Sequence, residues 1–252
     1  LEESGYSVNL YTEQEFLDND ITEQLIFTMA RNEQTACKLR QLEDSGAIVV
    51  NSGYSIENCT REQMTRLLLK DDVPHPESLI VSTTEMVTTY PSGKEIGLCW
   101  VKRGDFHAIH REDVTYVRNK ENLHEVMEEY TRRGIDRVVI NEHLVGDLVK
   151  FYGVSGSPFF YWFYPFDVHH SKFGHEEING KPKGISFAVD RLKTICDKAS
   201  KTLNVTVYGG DCIVAPDGTI RIIDFNDWPS FAPCREEAAQ AIATVIMNLK
   251  QC

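Results

Sequence analysis

The chain is poor in the features that mark several large protein classes. Its 252 residues include seven cysteines, at positions 37, 59, 99, 196, 212, 234 and 252, an odd number with no C-x-x-C pair. That spacing argues against a disulfide framework and against a zinc site. It suits a reducing compartment in which most thiols act as small buried hydrophobes. No stretch approaches the roughly eighteen consecutive apolar residues of a membrane span, and the start is not a charged-then-apolar signal sequence. The expectation is a cytoplasmic protein with no membrane partner. Positive charge is scarce: 26 Lys and Arg stand against 38 Asp and Glu, a net charge of −12. A broad nucleic-acid-binding surface would be basic, so none is expected. A phosphorylated small molecule stays compatible, because a local cluster of cations can sit inside an acidic shell. Internal repeats, low-complexity segments and flexible linkers are also missing. The chain opens at Leu1 rather than Met, which leaves room for residues upstream, including the first strand of an amino-terminal lobe.

What is present is an ordinary 42% hydrophobic content, enough for one large domain or two to three subdomains. The most informative stretch is Tyr208 to Phe231, YGGDCIVAPDGTIRIIDFNDWPSF. Two β-like runs joined by the turn Pro216-Asp217-Gly218 place Asp211 on one strand and Asp224 and Asn226 on the next. Side chains two apart on a strand share a face, so Asp224 and Asn226 point the same way and Asp211 can sit opposite them. Three hard oxygen donors of this kind suit Mg²⁺, which completes its octahedron with water and nucleotide phosphates. An Asp-x-Asn can also be nothing more than a turn. Against that, Asp224 follows the apolar run Ile220-Arg221-Ile222-Ile223, a strand that looks buried, where an unpaired carboxylate is costly and a metal would relieve the cost.

These residues resemble the last two metal-binding strands of ATP-grasp enzymes, and the Asp-x-Asn-x-aromatic-Pro form is most similar to the inositol-phosphate kinases of that superfamily. Many ATP-grasp ligases instead carry Glu-x-Asn, and RimK-like ligases are the nearest alternative. The resemblance implies an α+β ATP-grasp fold. Two α+β subdomains would clasp the nucleotide, behind an amino-terminal α/β lobe over residues 1–72, with the small subdomain at 73–140 and the carboxy-terminal metal-bearing subdomain at 141–252. Matching segments run from about Asn51 to Val154 and from Leu203 to Phe231 in the family's order. The residues read independently as a strand at Ala47–Val50, a helix Arg61–Lys70 with Thr60 at its N-cap, and strands at Ser78–Ser82, Ile96–Val101, Val114–Val117 and from Val138. Helices follow at about Asn122–Arg133, Asp190–Leu203 and Arg235–Lys250. Several strands run without intervening helices, which favours antiparallel sheets covered on one face.

The resemblance also assigns the chemistry. Lys102, ending the strand Leu98-Cys99-Trp100-Val101, matches a phosphate-contacting lysine, with Arg103 where the family has proline. A lysine at a strand end can equally be a solvated end residue. The loop 104–110 has one glycine where many ligases carry a glycine-rich flap. It offers His107 and His110 instead, of which His110 is the better match to a phosphate-facing histidine; two idle loop histidines is the plain alternative. Glu142, His143 and Leu144 match the hinge that reads adenine, Asp147 a ribose contact, and Lys150 a second phosphate lysine, although an internal salt bridge would serve Lys150 as well. Arg61 aligns loosely with a phosphate-reaching arginine. The aromatic run Pro158–Pro165 reads as sheet interior and subdomain interface, and His169-His170 as part of an acceptor loop rather than a metal site.

The implied cofactors are ATP and Mg²⁺, and the implied step is transfer of the γ-phosphoryl group to a small-molecule acceptor. The leading acceptor is a phosphorylated polyol. The competing reading is a carboxylate–amine ligase acting through an acyl phosphate, favoured by the absence of Arg or Lys in FFYWFYPF, and a third is a nucleotide-binding regulator without turnover.

Overall fold

The computed structural model describes residues 5–105, 110–166 and 176–249. The amino-terminal lobe holds α1 (Glu13–Asp18), β1 (Leu25–Phe27), α2 (Glu33–Asp44) and β2 (Ile48–Val50). Strands β1 and β2 pair in parallel, which requires a crossover, and α2 supplies it. Alternation then decides what each face meets. Ile26 and Val49 pack with Phe16 and Leu39 of the two helices, while Leu25, Phe27, Ile48 and Val50 face a core shared with the carboxy-terminal subdomain. Immediately after β2, the buried Asn51 exchanges two hydrogen bonds with the backbone of Val207, 2.8 and 2.7 Å, and so ties the lobe to the large sheet.

Helices α3 (Ser55–Asn58) and α4 (Arg61–Lys70) lead out of the lobe. Thr60 occupies the N-cap position of α4 as its sequence predicts, but its hydroxyl donates to the Glu57 carbonyl and does not cap the helix. The first-turn N–H of Glu62 is satisfied instead by the Gly104 carbonyl at 2.9 Å, from the next subdomain. That subdomain is an antiparallel sheet of order β3-β6-β4-β5, formed by Ser78–Ser82, Arg137–Glu142, Cys99–Arg103 and Val114–Val117. Helix α5 (Lys120–Arg132) covers one face, burying Leu123, Met127 and Tyr130 against Cys99, Val101, Val138 and Ile140. Strand β4 starts three residues later than the Ile96 start read from sequence. Ile96 is used to close a loop, its N–H bonding the Thr88 carbonyl beside a Thr89–Glu95 bridge.

The large antiparallel sheet has the order β10-β9-β7-β8, formed by Ile220–Asp227, Val207–Val214, Asp147–Val154 and Phe160–Phe163. The amphipathic α7 (Val189–Leu203) packs Leu192, Ile195, Cys196, Ala199 and Leu203 on one face, against Val149, Phe151, Cys212, Val214, Ile222 and Phe225. The aromatic run behaves as read: Phe160 and Trp162 pack on that core. Phe159, Tyr161 and Phe163 pack on the opposite one with β1, β2 and α8 (Arg235–Leu249); the short α6 (Glu176–Asn179) precedes α7. The β9–β10 turn is the expected one, with Gly218 at φ +79°, where a side chain would be strained. Among the described residues no helix is long and apolar enough to cross a membrane.

Candidate active site

Register places the predicted residues side by side. Lys150 on β7 pairs with Asp211 on β9, and Asp211 pairs with Asp224 on β10, so the three form one row across the sheet. Asn226 lies two residues beyond Asp224, opposite Gly209, on the same face. The row is charge-compensated: Lys150 Nζ lies 2.7 Å from Asp211 Oδ1, and Arg61 Nη1 lies 2.5 Å from Asp224 Oδ1. The cost of a carboxylate on this strand, which the sequence alone assigned to a metal, is met here by Arg61, 163 residues away in the chain.

A bulge in β10 decides which face the carboxylates take. Ile220 and Ile222 point into the core opposite Val214 and Cys212, and strict alternation would send Asp224 after them. The register shifts between Ile222 and Asp224, so that Phe225 takes the next core position while Asp224 and Asn226 turn to the other face. Gly210 allows the strands to close here, since a Cβ on it would lie 2.2 Å from the Asp224 carbonyl oxygen.

The small sheet reaches the same point. On β4, Cys99 and Val101 face α5, so Trp100 and Lys102 face the other way. Lys102 Nζ donates to the Ile223 carbonyl at 3.0 Å and is 7% exposed. Burial first, and then the Arg61 guanidinium, lower its pKa to about 7 against the opposing pull of Asp224 and Asp211. An anion arriving here would meet Lys102, Arg61 and Lys150 together. His75, from the loop between α4 and β3, also lies behind the bulge, its Nδ1 2.7 Å from the Ile222 carbonyl. Sequence reading passed it over, because its only local context is Val73-Pro74-His75-Pro76, a plain helix stop.

The residues expected at the hinge lie at the end of β6 of the small sheet and before β7 of the large one. Glu142 ends β6; its carboxylate accepts from Lys94 Nζ at 2.7 Å and from the Glu77 N–H at 3.2 Å. Burial raises its pKa, but these partners prevail and hold it below the ordinary value. His143 is half-buried and burial lowers its pKa. Its Nδ1 accepts from Trp100 Nε1 at 3.2 Å, and its ring packs on Tyr116 and Trp100. Trp100 was missed, although its i, i+2 spacing from Lys102 on one strand was a usable signal. The Leu144 carbonyl accepts from Asn179 Nδ2 at 3.1 Å. Asp147, expected at the ribose, is buried, and its two oxygens accept the N–H groups of Lys183 at 2.8 Å and Ile185 at 2.7 Å. It holds that segment onto the start of β7. His110 is exposed at the head of a 3-10 turn, its N–H donating to Asp113, and its described contacts include none of Lys102, Lys150, Asp211 or Asp224. His107, His169 and His170 lie outside the described residues.

Two carboxylates and an amide on one face form a hard-oxygen donor set of the kind Mg²⁺ takes together with phosphate oxygens. Among the described residues no group of three or more His, Cys, Asp or Glu side chains is gathered at a metal site.

The fold is that of the ATP-grasp proteins. The chain is similar to a RimK domain ATP-grasp protein from Sphaerobacter thermophilus, at 15% identity and TM-score 0.63, over 88% of this chain and 81% of that one. It is similar to the D-alanine–D-alanine ligase of Bacillus anthracis solved with ATP, at 15% identity and TM-score 0.61, over 87% and 74%. It is also similar to that of Coxiella burnetii, at 13% identity and TM-score 0.57, over 84% of this chain but 61% of the ligase. Two of these neighbours are D-alanine–D-alanine ligases, and none of the three is an inositol-phosphate kinase of the kind suggested by the Asp-x-Asn form. No protein-family model and no curated protein sequence matches the chain.

Proposed function

We propose that this chain is an ATP-dependent ligase that activates a carboxylate with Mg-ATP and passes the acyl group to an amine. The observation that carries the reading is the convergence of Lys102, Arg61 and Lys150 on the Asp211–Asp224 row where the two sheets meet. The ligase neighbours support it over the kinase. So does the run Phe159–Phe163 leading through β8, which carries no Arg or Lys to meet a multiply phosphorylated acceptor.

In the reaction proposed, a carboxylate oxygen of the acceptor attacks the γ-phosphorus and the bond to the ADP oxygen breaks. The amine nitrogen then attacks the acyl carbon, inorganic phosphate leaves, and the nitrogen loses a proton. The protein contributes position and charge, with no covalent enzyme intermediate. Lys102, Lys150 and Arg61 neutralise the phosphates, and Glu142, His143 and Leu144 present the hinge to the base. Asp211, Asp224 and Asn226 would hold Mg²⁺, which would supply charge neutralisation for the nucleotide phosphates.

The test is hydroxylamine trapping. Incubation with Mg-ATP, hydroxylamine and a panel of amino acids and short peptides should yield a hydroxamate and one phosphate per ADP. ADP formation without phosphate release, with label moved to a polyol hydroxyl, would instead establish the kinase.

A further inference from the structure

His75 has no part in the steps above, yet it is one of the most constrained side chains near them. It is 8% exposed, and its Nε2 has no hydrogen-bond partner among the described residues. Its Nδ1 lies 2.7 Å from the Ile222 carbonyl, which can only accept, so Nδ1 carries the proton. The neighbouring Pro74 carbonyl accepts the Ile222 N–H at 2.8 Å. The Pro74-His75 pair therefore satisfies both backbone polar groups of Ile222, on the outer edge of the edge strand β10, and Lys102 takes the carbonyl of the next residue. These are the two residues at which the register shifts. Beyond them, Asp224 faces the cleft instead of following Ile222 into the core.

We propose that His75 is a positioning residue for the metal-binding carboxylates: its Nδ1–H bond to Ile222 holds the β10 bulge in the phase that presents Asp224 and Asn226 to the cleft. The inference rests on the reading of Asp211, Asp224 and Asn226 as Mg²⁺ ligands. A bulge without its outer-edge partners can slide, and a one-residue slip moves a strand's side chains to the opposite face. The position needs a donor that stays uncharged, because Lys102 and Arg61 are already close. Burial, with Lys102 as the next cause, lowers the imidazole pKa to about 3, so the bond is present throughout the neutral range. A lysine or arginine in its place would add a third buried cation.

Side-chain geometry gives the test a built-in control. The donor Nδ1 is bonded to Cγ, as is the Nδ2 of asparagine, whereas the amide nitrogen of glutamine lies one bond further out. The full chain and its His75→Asn, His75→Gln and His75→Leu variants would be titrated calorimetrically with AMP-PNP at a series of Mg²⁺ concentrations and in EDTA, alongside ligand-free melting temperatures. Gln and Leu should raise the Mg²⁺ requirement about ten- to a hundredfold, as loss of a partner that orients metal ligands does, with EDTA binding unchanged. Asn should stay within about threefold of wild type. Wild-type Mg²⁺ dependence in Gln and Leu would overturn the proposal, as would an Asn variant that fails with them in proportion to melting temperature. Should Leu fail to fold, the Asn–Gln contrast decides alone. Mg²⁺-independent nucleotide binding by the wild type would overturn the metal reading, and with it this inference.

Discussion

Replacing Lys102 by Met should make the ligand-free protein more stable while destroying nucleotide binding. Lys102 is buried, and its pKa is depressed to about 7 by burial and by Arg61. In the unfolded chain it returns to about 10.4. The sign follows: between these values the unfolded state binds more protons than the folded one, so this group's contribution to stability improves as pH rises from 7 to 10. Linkage makes the penalty about 4 kcal/mol at pH 7, about 2 kcal/mol at pH 9 and near zero by pH 11. Methionine has nearly the same length and carries no charge, so it removes the penalty and forfeits only the hydrogen bond to Ile223, about 1 kcal/mol. The net gain is about 3 kcal/mol at pH 7, or roughly 6–12 °C for a chain of this size. It should shrink to about 1 kcal/mol, roughly 2–4 °C, at pH 9. Thermal melts of both proteins from pH 6 to 10, with AMP-PNP binding measured in parallel, test each limb. A Lys102→Met protein less stable at pH 7, or a gain that does not fall with pH, would refute the reasoning.

Other substitutions should move stability the opposite way. Asp224→Asn leaves the buried Arg61 without its carboxylate, so ligand-free stability should fall by about 2 kcal/mol and Mg²⁺-dependent nucleotide binding should vanish; urea denaturation showing a gain would contradict the charge balance drawn here. Gly210→Ala puts a Cβ 2.2 Å from the Asp224 carbonyl and 2.6 Å from the Phe151 ring, and should cost about 3 kcal/mol or more in chemical denaturation. Asp147→Ala strands the N–H groups of Lys183 and Ile185 and should cost about 2–3 kcal/mol, read as a lower urea midpoint at unchanged slope.

Much of the architecture was legible because it depends on local chemistry. Helix α4, strands β3 and β5 and the Asp217-Gly218 turn fall where their periodicity and turn residues place them. Helices α5 and α7 fall within a residue or two. The Asp211, Asp224 and Asn226 set was legible as a pattern, since side chains on paired strands share faces at fixed spacing, whereas Lys150 entered only through the family resemblance. Less legible were features whose cause lies far away in the chain. The start of β4 moved because Ile96 serves a loop closure, and the N-terminus of α4 is satisfied from Gly104 and not from Thr60. Asp147 carried a family role in the sequence, yet its carboxylate is filled by backbone from 36 and 38 residues on.

By itself, then, the amino-acid sequence determined the strands and helices, the acidic balance of the whole, and which hard-oxygen and cationic side chains could meet. Tertiary structure alone decided that Asp224 faces the cleft, because that depends on a bulge held by Pro74, His75 and Lys102, from segments more than a hundred residues away. It also decided that Arg61 neutralises Asp224 and that Lys102 sits close to losing its proton. Burial and ion pairing are set by what the whole chain brings within a few ångströms, and no local pattern encodes those distances.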